Sequence, residues 1–365
     1  MKKKTIVLIP SLNPNNELID YVKNVISSGN NIEVIVINDG SRDEYTDIFN
    51  KIDKIKRCVV LTHEVNLGKG RALKNGFNYF LNNYSKEEVN GIITADSDGQ
   101  HAINDILKVA KYLNNAKRET LVLGTREFNL EHVPFKSRNG NKITTVVFKL
   151  LYGKKINDTQ TGLRGLTYEF VKECISLDGE RFEYEINMLI EAVKKKVDII
   201  EPTIETIYFD NNSESHFRPV IDSFKIYTVM FKKVFRFAFS GLSSAVLDIA
   251  IFTILFYLYD FIFGDSISLL LATFCAKIVS SLVNYILNKN LVFNAGKGKS
   301  TFVKYYILCV IQTFISWGLV NGNYLLFDKY IHPSVIKVVV DSLLFLISFQ
   351  IQQKWIFGLK EKNYD

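Results

Sequence analysis

Two kinds of apolar pattern divide this chain. In its first 230 residues or so, short apolar runs alternate with amphipathic stretches. The runs at 5–10, 33–38, 58–62, 91–95 and 121–124 predict strands, and the 3.6-residue periodicity at 17–27, 69–81 and 103–113 predicts helices. This βαβ rhythm predicts a mostly parallel sheet with helices on both faces, where ligands bind beyond the carboxyl ends of the strands. Later the pattern changes to four long apolar segments, 234–259, 267–287, 302–327 and 335–351. Each is near the ~20 residues a helix needs to cross a bilayer. Core helices of a second soluble domain are the alternative, but four such segments in succession are rare in soluble folds. The expected organisation is a domain over 1–231 and a membrane domain over 232–365.

Charge supports the membrane reading. The net charge of +7 fits a solvated surface or a nucleic-acid binder equally well until its placement is considered. Lys225, Lys232, Lys233 and Arg236 precede the first apolar segment. Lys289, Lys297, Lys299 and Lys304 lie between the second and third, and Lys354, Lys360 and Lys362 follow the fourth. The other two connections, with Asp260 and Asp265 and with Asp328, Lys329 and Lys337, are poorer in base. The positive-inside rule then predicts a multi-pass protein of the cytoplasmic membrane with the first domain and both termini in the cytoplasm, and no nucleic-acid partner. The opening Met1-Lys2-Lys3-Lys4 resembles a signal peptide, but its apolar run stops at Pro10 and reads as a first strand. Cys58, Cys174, Cys275 and Cys309 are scattered, which suggests neither a zinc site nor a disulfide framework.

The candidate chemistry lies where strands are expected to end. Gly91-Ile92-Ile93 leads into Thr94-Ala95-Asp96-Ser97-Asp98-Gly99-Gln100-His101. Two carboxylates one residue apart at a strand end suit a Mg²⁺ or Mn²⁺ ion held against a diphosphate, with Gln100 adding an amide oxygen; a surface turn is the plainer reading. Asp39, in Asn38-Asp39-Gly40-Ser41, either closes a turn or accepts from a ribose or base. Asn66-Leu67-Gly68-Lys69-Gly70-Arg71 opens a helix and offers amides and cations to phosphate, or is a glycine turn; it lacks P-loop spacing. Arg126 and Arg138 follow strand or loop segments and are phosphate-binding candidates. His63, His101 and His216 show no metal-ligand spacing and read as structural.

At these residues the chain resembles family 2 glycosyltransferases of the polyprenyl-phosphate type, which include dolichol-phosphate mannosyltransferases. The resemblance covers about 4–228. It rests on Pro10-x-x-Asn13, Asn38–Ser41, Gly68-Lys69-Gly70, Asp96–His101, Gly124-Thr125-Arg126, Asp158-Thr159-Gln160-Thr161-Gly162-Leu163-Arg164, Phe182-Glu183-Tyr184-Glu185 and Ser215-His216-Phe217-Arg218, in that order. It implies an α/β GT-A catalytic domain, Rossmann-like with a mostly parallel sheet, ahead of an all-α four-helix transmembrane domain. It further implies that Pro10, Asn13, Asp39, Lys69, Gly70 and Asp96 hold the nucleotide sugar, and that Asp96, Asp98 and Gln100 bind Mg²⁺ or Mn²⁺. Arg126, Arg138 and Arg218 would hold the acceptor phosphate, with Asp98 counted among the catalytic residues, and Glu183 or Glu185 would touch sugar hydroxyls. The implied reaction is inverting transfer of a hexose to polyprenyl (undecaprenyl) phosphate. Pro14 stands where the family often has glutamate, which leaves UDP or GDP open, with UDP-glucose or UDP-N-acetylhexosamine favoured over GDP-mannose.

The apolar half, from Val234 onward, resembles the GtrA family of four-helix membrane proteins linked to movement of lipid-bound sugars. Asn284–Phe293 is similar to Ser348–Phe357, which suggests two helix hairpins in repeat. Asp248, Lys277 and Asp341 are the polar candidates within the spans, either lining a path for a sugar-phosphate head or pairing helices. The competing functions are a lipid-sugar translocase with a non-catalytic sensor domain and a processive synthase; the latter would need a later tryptophan motif, and the only tryptophans are Trp317 and Trp355. The expected partners are a nucleotide sugar, a polyprenyl phosphate and the bilayer, with a homo-oligomer left open.

Overall fold

In a computed structural model, described over residues 3–128, 135–205, 218–263, 265–295, 299–327 and 333–357, the chain divides into two units, Met1–Met230 and Phe231–Asp365. The first runs β1 (Lys4–Ser11), α1 (Glu17–Ser27), β2 (Ile32–Asn38), α2 (Thr46–Asp53), β3 (Cys58–Thr62), α3 (Lys69–Asn83), β4 (Val89–Thr94) and α4 (Ile103–Asn114). It continues through β5 (Thr120–Leu123), β6 (Thr125–Arg126), α5 (Phe135–Tyr152), β7 (Arg164–Thr167), α6 (Tyr168–Cys174), α7 (Glu183–Lys194), β8 (Asp198–Ile200) and β9 (Thr203–Ile204).

Seven strands form one sheet in the order β3-β2-β1-β4-β7-β5-β8. Neighbours run parallel except at β7, which is antiparallel to both β4 and β5. The central strand β1 is apolar without alternation: Ile6, Val7, Leu8 and Ile9 are all fully buried, as a strand covered on both faces requires. On one face Val7 and Ile9 pack with Leu18, Val22 and Val25 of α1 and with Ile106 and Val109 of α4. The parallel order brings the ends of β1, β2 and β4 together, with Ser11 opposite Asn38 and Leu8 opposite Thr94. β6 and β9 form a separate parallel pair.

The second unit contains most of α8 (Pro219–Phe263), then α9 (Asp265–Leu287), α10 (Lys299–Phe327) and α11 (Pro333–Ile351). Both α9 and α11 close in π-helical turns, Asn288–Val292 and Gln352–Ile356. Among the described residues, Ile221–Tyr259 and Leu271–Val292 are long and apolar enough to cross a bilayer, and Ser300–Ser316 is a shorter apolar stretch. Phe235, Phe239, Leu242, Val246 and Ile249 of α8 are all exposed, which a soluble core helix would not tolerate.

Contacts within this unit follow an internal repeat. Asn288 donates to Gln352 at 3.1 Å across a separation of 64 residues. At that same offset Phe293 and Phe357 stack, their ring centroids 5.1 Å apart. Tyr285 meets Phe357 at 5.9 Å, and its counterpart Phe349 meets Phe293 at 5.8 Å. Phe237–Phe349 and Thr301–Tyr285 are likewise exchanged contacts. A pseudo-two-fold arrangement of two equivalent hairpins explains these reciprocal pairs. Asn284 links the hairpins further, donating to the Ser240 carbonyl and accepting from the Tyr305 hydroxyl.

Candidate functional site

The cleft above the carboxyl ends of β1, β2 and β4 encloses about 160 Å³, and about 780 Å³ when its open mouth is counted. Pro10, Ser11 and Leu12 form its floor. Asp39, Asn66, Gly68 and Lys69 line one side, Asp96, Ser97 and Asp98 another, and Arg181 and Phe182 lie on the approach to α7. Five residues singled out in the sequence, Pro10, Asp39, Lys69, Asp96 and Asp98, thus share one cleft.

Asp39 is almost fully buried and its carboxylate shapes the loop that leads into α3. It accepts from the Leu67 amide at 3.0 Å and the Gly68 amide at 2.8 Å. His63 Nδ1 lies 2.8 Å from Asp39 Oδ1, and His63 Nε2 lies 2.8 Å from the Asn75 amide nitrogen. Since Asn75 Nδ2 can only donate, His63 carries its proton on Nδ1 and donates to Asp39. Gly68, at φ +101°, could not carry a side chain here, because a Cβ would stand 2.5 Å from the Glu180 carbonyl oxygen. Glu180 then clamps the first turn of α3, accepting from Arg71 at 2.6 and 2.8 Å and from Lys74 at 2.9 Å.

Asp96 sits in a ring of charge. Lys69 Nζ is 2.7 Å from Asp96 Oδ1 and 3.2 Å from Glu185 Oε1, and His101 Nε2 is 3.3 Å from Asp96 Oδ2. Burial works against the Asp96 charge, but Lys69 and His101 outweigh it and hold the carboxyl far below the usual range. Burial likewise works against the Lys69 ammonium, and the Asp96 and Glu185 carboxylates reverse the effect and push its pKa upward. Asp98 behaves differently: burial, then repulsion from Asp96, raises its pKa. Its Oδ1 accepts from the Gln100 amide at 3.1 Å. A half-buried carboxylate disfavoured by its neighbour is relieved by a divalent cation, so these residues fit Mg²⁺ or Mn²⁺. Among the described residues no three His, Cys, Asp or Glu side chains form a self-contained metal cage.

Two comparisons identify the chain. Residues 6–174 match the model for glycosyl transferase family 2, and residues 236–357 match the GtrA/DPMS transmembrane domain. An uncharacterized protein of Methanocaldococcus jannaschii is 31% identical over 239 residues, which is 64% of this chain and 94% of that protein. The chain belongs to glycosyl transferase family 2. It carries a GT-A-like domain followed by a GtrA/DPMS membrane domain, and it is a membrane protein. The UDP-N-acetylglucosamine–dolichyl-phosphate N-acetylglucosaminyltransferase of Methanococcus voltae is 29% identical over 219 residues, 55% of this chain and 85% of that enzyme. The dolichyl-phosphate beta-glucosyltransferase of Saccharomyces cerevisiae is 25% identical over 248 residues, 60% of this chain and 71% of that enzyme.

The remaining candidates of this family 2 domain lie around the cleft's edge or away from it. Asn13, at φ 47°, ties the first motif to the second: its amide donates to Ser41 Oγ and its Oδ1 accepts from the Arg42 amide. Gly70 faces the backbone of 180–181 and Tyr184, and Gln100 follows Asp98 in the same turn. Arg126 is held by Asp158, donating at 2.7 and 3.0 Å to a carboxylate with no exposed surface. Arg138 lies on α5, and Arg218 is exposed just before α8, its amide donating to Asp222 at 2.7 Å. His216 lies outside the described residues. In the membrane unit Asp248 accepts from Ser280 at 2.7 Å with Lys277 Nζ 3.8 Å away, and Asp341 accepts from Ser316 at 2.7 Å.

Several contributors carried no individual role in the sequence reading. Gly162 backs directly onto the Asp96 carboxylate, while Thr94 Oγ1 donates to the Gly162 carbonyl at 2.8 Å. Arg164 is fully buried, donating to the Thr161 and Glu185 carbonyls at 2.8 and 2.7 Å. The signal was the polar run Asp158–Arg164 immediately before a short apolar strand. Glu183, by contrast, is used by the backbone: its Oε1 accepts from the Glu180 and Arg181 amides.

Proposed function

We propose that this protein transfers a hexose from a nucleotide sugar to a polyprenyl phosphate such as undecaprenyl phosphate. The observation that carries this reading is the convergence of Asp39, Lys69, Asp96 and Asp98 on one cleft in a chain that also carries a GtrA/DPMS membrane domain. The two named relatives use dolichyl phosphate and transfer N-acetylglucosamine or glucose, which favours UDP-glucose or UDP-N-acetylhexosamine as donor.

In this reading Pro10, Asn13 and Asp39 frame the nucleoside, and Lys69 and Gly70 face the diphosphate. Asp96, Asp98 and Gln100 hold Mg²⁺ or Mn²⁺, which when bound offsets charge on the departing diphosphate. Asp158 fixes the Arg126 guanidinium, and Arg126, Arg138 and Arg218 bind the acceptor phosphate. An oxygen of that phosphate attacks the anomeric carbon as the bond from carbon to diphosphate oxygen breaks. The phosphate is already ionised near neutral pH, so no general base is needed, and the sugar inverts. The four apolar helices span the cytoplasmic membrane with the catalytic unit on the cytoplasmic side; they anchor the enzyme and aid passage of the product across the bilayer.

The test is transfer from radiolabelled UDP- and GDP-sugars to undecaprenyl phosphate in detergent with Mg²⁺ or Mn²⁺. The expected result is one acid-labile glycolipid with one donor, absent in Asp98→Ala. Folded, metal-supplied protein that transfers nothing from any donor, or an Asp98→Ala variant as active as wild type, would refute the reading.

A further inference from the structure

The repeat inside the membrane unit supplies its own comparison. Where α8 meets the π-helical turn after α9, a notch of about 630 Å³ is lined by Arg236, Phe239 and Ser240 on one side and Asn290, Leu291 and Asn294 on the other. By the 64-residue offset Ser240 corresponds to Lys304, and Leu291 to Trp355. In the second hairpin Lys304 Nζ donates to the Trp355 carbonyl at 3.3 Å and lies 5.3 Å from its ring centroid, so the lysine covers the end of that turn. In the first hairpin the small Ser240 leaves the corresponding space open, and the Leu291 carbonyl receives a long 3.5 Å contact from Arg236.

The open notch has the chemistry of an anion site. Arg236 is exposed and supplies the charge. Ser240 is small and 2% exposed, and its hydroxyl has no hydrogen-bond partner among the described residues. Asn290 and Asn294 add amide donors, and no Asp or Glu lines the notch among the described residues. Exposed apolar side chains continue along both helices, Leu242 and Val246 on α8 and Leu282 and Ile286 on α9. A polar, cationic pocket at the basic end of two lipid-facing helices matches a lipid headgroup with two chains.

We propose that this notch binds the phosphate headgroup of an anionic glycerophospholipid. Arg236 pairs with the phosphate, the two asparagines donate to its oxygens, and the acyl chains lie along α8 and α9.

The full chain in detergent, given equimolar phosphatidylglycerol and phosphatidylcholine, is examined by native mass spectrometry. The wild type should retain phosphatidylglycerol in clear preference. Arg236→Gln, which alters an exposed side chain, should lower that retention at least threefold. Lys304→Gln, at the same end of the bundle but in the closed repeat, should leave it unchanged. Absence of a preference in the wild type, or undiminished retention in Arg236→Gln, would overturn the proposal. So would an equal loss in Lys304→Gln, which indicates diffuse surface charge, or retention of a polyprenyl phosphate without phosphatidylglycerol.

Discussion

Replacing Gly162 by alanine tests how tightly the acidic pair is held. A Cβ at that position would stand 2.5 Å from both Cγ and Oδ1 of Asp96, and closer still to Oδ2. Ordinary contact needs about 3.5 Å, so the carboxylate or the loop must shift by at least about 1 Å. The loop resists, because the Gly162 carbonyl is fixed by Thr94 and the next residues enter the buried strand β7. The carboxylate resists too, because Lys69 and His101 hold its two oxygens. A displacement of ~1 Å in a catalytic constellation costs on the order of 10²-fold in rate. Overpacking also destabilises by about 1–3 kcal/mol, a fall in Tm of roughly 2–12 °C for a unit of this size. Gly162→Ala should therefore fold, melt slightly earlier, and show a ~10²-fold lower single-turnover rate with weakened Mn²⁺ binding by electron paramagnetic resonance. A variant whose rate and Mn²⁺ affinity stay within threefold of wild type would refute the placement of Gly162 against the working face of Asp96.

Asp158→Ala removes a fully buried carboxylate from Arg126, whose side chain is 20% exposed; breaking such a pair costs about 3 kcal/mol, and far-UV circular dichroism should show the lower melting temperature. Tryptophan fluorescence is unsuited to that measurement, since Trp317 and Trp355 both lie in the membrane unit. Lys69→Met should flatten the acid limb of the stability profile. The depressed Asp96 carboxyl contributes stability that is present above the unfolded value of about 3.9 and lost as pH falls further, and much of the depression comes from Lys69. The raised Lys69 ammonium contributes stability present below about 10.4 and lost as pH rises through its folded pKa, so the alkaline limb should flatten as well in a pH series of denaturant melts. Chelation with EDTA should abolish sugar transfer, with Mn²⁺ or Mg²⁺ restoring it; full activity in chelator would argue that Lys69 alone serves the diphosphate.

The strands of the parallel half were legible because each is a short apolar run, fully buried in β1 and only half-buried at the edge in β3, and the helices at 17–27, 69–81 and 103–113 because their apolar stripes face that sheet. The reading missed β7, a four-residue strand whose antiparallel placement between β4 and β5 depends on partners far away in sequence. It also missed the helices α2, α5, α6 and α7 and the two- and three-residue strands β6, β8 and β9. The histidines were read as structural, and the structure supplies the detail: His63 and His101 each hold a cleft carboxylate.

The sequence by itself determined the local and periodic features: the division into an α/β half and an apolar half, the strand-end acidic motifs, and the repeat of hairpin ends. Each follows from residues close together in the chain, through hydrophobic period, turn chemistry and charge. Tertiary structure decided which groups meet. Lys69 could pair with Asp96 and Glu185 only once α3, β4 and α7 converged, and Asp158 could claim Arg126 only when its loop folded beside β6. Such pairings depend on topology and on the cost of leaving charge buried alone, and neither is written in local sequence.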